Sequence, residues 1–177
     1  MPPRLDPAFD GFQDGDLIVR RGRSLISAAV LAVDEAEYSH IGLVDVTSSG
    51  VEVVHALPEE ERPIRVESVD SFLAEAEAAA VYRVTAREVG SVEPVVVEAH
   101  RHVDAGFGFD DRFELETAEA VYCTELVWRA WRRVGVDLTD AGTSRLDFLF
   151  LDGPILMISD VLEHPSVAAV HRFAQEN

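Results

Sequence analysis

YSHIGLVDVTSSGVEVVHAL, residues 38–57, decides how the rest of the chain is read. Two β-branched runs flank a four-residue polar turn, TSSG, which is the pattern of a β-hairpin. Pairing Val46 with Val51 across that turn sets a register in which His40 falls opposite Leu57 and His55 opposite Gly42. Side chains alternate along a strand, so His40 and His55 project from one face as diagonal neighbours, roughly 7–8 Å apart at their Cα atoms. A slip of one residue would send them to opposite faces. Gly42 leaves space where a bulky residue would crowd the His55 ring. Two imidazoles on one strand face form a candidate site.

Outward from the hairpin, LIVRR (17–21) reads as a strand and SLISAAVLAVD (24–34) as an apolar helix capped by Ser24. Downstream, IRVES (64–68) predicts a strand, VDSFLAEAEA (69–78) a helix and AVYRVT (80–85) a further strand. SVEPVVVEAHRHVD (91–104) predicts a helix, with Pro94 acceptable in its first turn. Residues 104–120, rich in Gly, Asp and Phe, predict a loop. CTELVWRAWRRVG (123–135) is the clearest helix: Leu126, Val127, Ala130, Trp131 and Val134 form one stripe and Gly135 stops it. SDVLEHP (159–165) predicts a short helix capped by Ser159, and SVAAVHRF (166–173) a last strand. The expected fold class is α+β, a largely antiparallel sheet packed against helices. With no repeat and no linker, a single domain over 1–177 is expected, after an irregular lead-in over 1–14.

The only cysteine, Cys123, opens the clearest helix on its apolar stripe. Unpaired N–H groups and the positive end of the helix dipole favour a thiolate there, and a neighbouring imidazolium would lower its pKa further. Cys123 as nucleophile, His40 as base and His55 as orienter would satisfy the logic of a catalytic triad. A backbone N–H at the helix start could bind the oxyanion of a tetrahedral intermediate. Tyr38, beside His40, is a candidate pocket wall or oxyanion donor, with ordinary strand-edge packing as the competing reading. A lone cysteine is more often a small buried hydrophobe, and a lone strand histidine more often structural. Helix-start position and shared register are what separate Cys123, His40 and His55 from that background. A zinc site of the same three residues is a third reading, but no CxxC or HxxxH pair nucleates it, so no metal or other cofactor is expected. His100 and His102 near a helix end, His164 before a proline and His171 in the last strand read as structural or solvated.

Composition limits the function classes. The 177 residues carry 33 acidic side chains against 15 basic ones, all arginine, for a net charge of −18. A phosphate backbone would be repelled, so no nucleic-acid partner is expected. No run of 18 apolar residues predicts an integral membrane segment, and the start of the chain lacks the pattern of a secretory signal. The expected location is the cytoplasm, and one cysteine admits no internal disulfide.

GDLIVRRG with its apolar helix, then YSHIGLV, VVHALP, GFGFDDRF, YCTELVWRAW and ISDVLEHPSV, in that order, resemble the YiiX-type branch of the NlpC-type cysteine peptidase superfamily. The resemblance runs from Gly15 to about Val170. It implies a circularly permuted papain-like fold, in which the histidine strands precede the cysteine helix, as also in lecithin:retinol acyltransferase-like enzymes. It also implies a Cys–His–polar triad, with Cys123 on the nucleophile, His40 on the base and His55 at the variable polar position. Thr124 departs from the commoner Ser after the nucleophile, and Phe109–Asp110 from the commoner Tyr–Asp. The function expected is hydrolysis of an amide bond in a small-molecule, peptide or acyl substrate, through an acyl-enzyme. Acyl transfer or lipid ester or thioester hydrolysis by the same triad is the alternative, and a non-catalytic binding module the alternative from another class.

Overall fold

A computed structural model describes residues 8–34, 36–58, 61–74, 76–86, 89–148 and 151–174. The expected lead-in over 1–14 lies outside the described residues up to 7; from 8 to 14 it is irregular.

Six strands form one antiparallel sheet: β1 (Leu17–Gly22), β2 (His40–Thr47), β3 (Gly50–Ala56), β4 (Ile64–Ser68), β5 (Ala76–Val84) and β10 (Val167–Arg172), in the order β10-β5-β1-β2-β3-β4. The helices are α1 (Leu25–Val33), α2 (Val69–Ala74), α3 (Glu93–Asp104), α4 (Cys123–Arg132) and α5 (Ile158–Leu162). Two short strand pairs stand apart, β6 (Gly108–Phe109) parallel to β7 (Ala120–Val121), and β8 (Ser144–Phe148) antiparallel to β9 (Leu151–Ile155).

Alternation along the strands splits the core in two. Leu17, Val19, Ile41, Leu43, Val54 and Ala80 pack with Val95 and Ala99 of α3 and with Leu126, Val127 and Trp131 of α4. Ile18, Val44, Val53, Ala79 and Val81 pack from the other face with Phe72 and Leu73 of α2 and with Phe173.

The structure corrects three expectations. The helix predicted over 69–78 ends at Ala74, and the chain resumes as a strand at Ala76 rather than at 80. Ala and Glu favour helices, but residues 76–84 lie between β1 and β10 and pair with both; ladder bonding on both sides overrides intrinsic propensity. The short helix starts at Ile158, and Ser159 is not its cap. Asp34, directly after α1, instead accepts from the N–H groups of Ile158 at 2.8 Å and Ser159 at 3.3 Å. Finally, the loop expected over 104–120 holds β6 and the start of β7, and the β8–β9 hairpin had no counterpart in the sequence reading.

Candidate active site

The β2–β3 ladder has the register read from the sequence, with Gly42 opposite His55 and Val46 opposite Val51. Both imidazoles therefore leave the sheet on the α2 face. His40 Nε2 and His55 Nδ1 lie 2.8 Å apart in a buried hydrogen bond. Phe72 closes the pair from α2, with ring centroids 5.7 Å from His40 and 5.4 Å from His55. His55 is 0 % exposed and His40 6 %.

Sequence reasoning missed the next residue in the chain of contacts. Glu67 of β4 places Oε1 3.0 Å from His55 Nε2. Val53 pairs with Glu67 and His55 with Arg65 across β3 and β4, so Glu67 is the diagonal neighbour of His55 on the same face. IRVES was legible as a strand, but its register against β3 depends on the connection at 57–63, for which the sequence offers no turn signature. Arg20, opposite His40 in β1, adds a cation: Nη1 lies 4.0 Å from Glu67 Oε1 and donates to the Phe72 carbonyl at 2.7 Å.

Cys123 reaches β2 from the other face. It is half-buried at the first position of α4 and packs on the α3–α4 side of the core. The residues on either side lock it in place: Thr124 Oγ1 donates to the Leu156 carbonyl at 2.6 Å, and the Leu156 N–H donates to the Tyr122 hydroxyl at 3.0 Å. The peptide N–H groups of Ile41, Thr124 and Cys123 itself lie close enough to the sulfur to favour its charged form. The sulfur thus meets β2 one residue beyond His40, where the ladder with β3 has ended at the Gly42–His55 pair.

Electrostatics differ from the sequence expectation of a preformed thiolate–imidazolium pair. Burial pushes the Cys123 thiol up to about 11, against the lowering effect of the three N–H groups, and Asp34 raises it further. Burial also holds His40 well below the usual imidazole value, assisted by His55, Arg20 and Arg65. His55 is likewise lowered, chiefly by burial, with Glu67 pulling the other way. At rest the thiol is neutral on the α3–α4 face of the sheet and the two imidazoles are neutral on the α2 face; the structure brings His40 and His55 together but shows no contact of either with Cys123.

Tyr38 is 2 % exposed and packs edge-on against Tyr82. Its hydroxyl is surrounded by Glu37, Arg172 and Tyr82, and burial raises it to about 12. The remaining histidines hold structural contacts: His100 Nε2 with Asp45 at 2.8 Å, His102 Nδ1 with the Glu98 carbonyl at 2.7 Å, His164 Nε2 with Asp140 at 2.7 Å, and His171 stacked on Phe9.

A nucleophile on a helix start beside a histidine strand is also the layout of known proteins. The permuted papain-like amidase family of the YaeF/YiiX type, C92, matches residues 11–148. The chain belongs to this family. Its fold is the permuted papain-like α+β fold, and the family is one of papain-like hydrolases. The crystal structure of the metalloprotein yiiX from Escherichia coli O157:H7 superposes with a TM-score of 0.74 at 22% identity, covering 93% of this chain and 97% of that one. No curated protein is matched. Among the described residues no helix is long and apolar enough to cross a membrane.

Proposed function

We propose that this chain, as one permuted papain-like domain, is a cysteine-dependent hydrolase of amide bonds acting through Cys123, His40 and His55. The observation that supports the reading is the buried His40–His55 hydrogen bond of 2.8 Å on the strand whose next residue, Ile41, sets its N–H near the Cys123 sulfur. His40 takes the thiol proton as the sulfur attacks the substrate carbonyl. The peptide N–H of Cys123, at the helix start, stabilises the oxyanion. His40 then returns the proton to the leaving nitrogen, and the C–N bond breaks to give a thioester. Water, deprotonated by His40, hydrolyses that acyl-enzyme and regenerates the thiol. His55 orients His40 throughout. Tyr38 serves as a wall behind His40, and its engaged hydroxyl argues against the oxyanion role. A small-molecule or peptide amide, cell-wall peptides included, fits this chemistry.

One observation favours an acyl or lipid ester substrate as a second reading. The helix α1 carries no charge, yet Leu25 is 90 %, Ile26 56 % and Val33 48 % exposed. It ends at Asp34, whose charge acts on the Cys123 sulfur. An apolar surface beside the nucleophile suits an acyl chain. Acyl-enzyme trapping with γ-glutamyl peptides and with long-chain thioesters separates the two, and Cys123→Ala must abolish labelling by either. Turnover unchanged in Cys123→Ala across both panels would leave a binding module instead.

A metal-based reading, prompted by the word metalloprotein for the yiiX structure, fits this site poorly. Two imidazole nitrogens on one tetrahedral zinc stand roughly 3.3 Å apart with both lone pairs aimed at the ion. His40 Nε2 and His55 Nδ1 are 2.8 Å apart and bonded to each other. Among the described residues no group of three or more His, Cys, Asp or Glu side chains is arranged to hold a metal ion.

A further inference from the structure

We propose that the cavity lined by α3, α4 and residues 116–118 binds the phosphate group of a small molecule, held by the guanidiniums of Arg101, Arg129, Arg132 and Arg133. The cavity measures about 450 Å³. Its α4 arginines lie six to ten residues beyond Cys123, roughly 9–15 Å further along the helix axis. The site is therefore separate from the surroundings of the sulfur and does not depend on the hydrolase reading.

The lining inverts the charge balance of the chain. Acidic residues outnumber basic ones 33 to 15 over the whole sequence, but here four arginines meet two glutamates, Glu98 and Glu116. Arg101, Arg129 and Arg132 sit in the last turns of their helices, where cations complement the carbonyl ends. That preference does not explain why the arginines of two helices converge on one cavity.

The glutamates also leave donors over, since a guanidinium has more N–H groups than one carboxylate uses. Arg101 donates from Nε and Nη2 to Glu98 at 3.1 and 2.5 Å. Arg129 donates from the same two nitrogens to the buried Glu125, and from Nη2 to the Thr117 carbonyl. Arg132 donates from Nη1 to Glu116 and lies over the Trp128 ring. Arg133 forms an ion pair, with Nε 3.5 Å from Glu98 Oε2. Among the described residues no hydrogen bond uses Nη1 of Arg101 or Arg129, Nε or Nη2 of Arg132, or any side-chain nitrogen of Arg133. A single guanidinium fork satisfies a carboxylate, whereas a tetrahedral phosphate dianion accepts from several directions at once. The volume is that of a small-molecule site, so it also admits the organic part of an ester.

His102 gives the cavity a built-in reporter. It lines the cavity, is buried, and has Nδ1 2.7 Å from the Glu98 carbonyl, which only accepts. Nδ1 therefore carries the hydrogen, and Nε2 has no partner among the described residues. Burial lowers the His102 pKa most, Glu98 pulls it up, and Arg129 and Arg101 lower it. Glu116, Arg132 and Arg133 line the same cavity, and Phe107 packs edge-on against the ring. A dianion among these arginines cancels their effect, so binding should raise His102.

The whole chain, titrated with sodium phosphate at pH 7.5 and constant ionic strength, should show saturable shifts of the His102 imidazole signals, and sodium acetate should produce none. Glycerol 3-phosphate should bind at least as tightly as inorganic phosphate, and its exclusion would overturn a small-molecule ester as the ligand. Arg132→Ala and Arg133→Ala, both at exposed positions, should each weaken phosphate on the order of 10-fold. Arg21→Ala removes the same charge from β1, outside the cavity, and should leave the affinity unchanged. In saturating sulfate, a dianion that does not itself titrate near neutral pH, the His102 midpoint should move up. A response that never saturates, an unmoved midpoint, or equal weakening by Arg21→Ala overturns the proposal, as does wild-type affinity in both cavity variants.

Discussion

Gly42 and His55 face each other across the β2–β3 ladder so closely that a Cβ on residue 42 would lie 3.2 Å from His55 Cβ and 2.4 Å from Val53 Cγ1. The absent side chain leaves the room that the His55 side chain and Val53 occupy beside β2. Gly42→Ala should destabilise the fold by about 1–3 kcal/mol through overpacking. It should also slow Cys123 alkylation at pH 7.5, because the strain falls on the His55 side of the relay. Urea unfolding and alkylation kinetics measured on the same preparation check both, and a stable variant with wild-type kinetics would contradict the packing argument.

The resting thiol is protonated, since burial pushes Cys123 up to about 11. Alkylation by iodoacetamide should therefore keep accelerating above pH 8.5, the ordinary thiol value being about 8.5, with no plateau near neutrality. Asp34→Asn removes a carboxylate that raises the thiol, so its profile should move to lower pH. A plateau below pH 7.5 in the wild type would reveal a preformed thiolate.

Three buried imidazoles, His40, His55 and His102, all have lowered pKa values, chiefly through burial. Below about pH 6.5 the unfolded chain takes up protons that the folded chain refuses, so stability falls as the pH drops through that value. Each histidine contributes up to about 1.4 kcal/mol per pH unit. Glu125, raised to about 7 by burial, works in the opposite direction between 7 and 4.5, because its folded form binds a proton that the unfolded form lacks. The histidines outnumber it. Unfolding free energy should be flat above pH 7.5 and decline from 6.5 to 5, more steeply in Glu125→Gln. A flat profile over that range would contradict the buried neutral histidines.

Glu125 is 0 % exposed and is held by Arg129 one turn further along α4, with Nη2 2.7 Å from its Oε1. Arg129→Ala strands a buried carboxylate and should cost roughly 3–5 kcal/mol. Because Glu125 titrates near 7, protonation relieves that loss, so the variant should be less impaired at pH 6 than at pH 8. Thermal melts at the two pH values suffice, and an equal loss at both would show the pair to be solvent-screened.

The hairpin was legible because its signal is local. A β-branched run, a polar turn and a second run fix both the register and the shared face of His40 and His55. Helix α4 was legible from its stripe and from Gly135, which has φ +83 just past its end. Glu67 was not, since its place beside His55 depends on how β4 aligns with β3 across a connection whose sequence carries no turn signature. Strand β5 was misread between 76 and 79 because alanines carry no strand preference, and only pairing with β1 and β10 makes them one. Nor does composition reveal the neutral resting state. The helix start at Cys123 argues for a thiolate, and burial, a property of the whole fold, outweighs it.

The hairpin turn at Gly50, with φ +144, joins two strands whose histidines are 15 residues apart in sequence, whereas the sulfur arrives from α4 much later in the chain. Hairpin closure takes microseconds, while docking of distant elements has to wait for larger loops to close. On a ribosome that has not yet released residue 123, the histidine pair can already exist, but its reactive partner does not. The proton acceptor is thus an early product of folding and the thiol a late one.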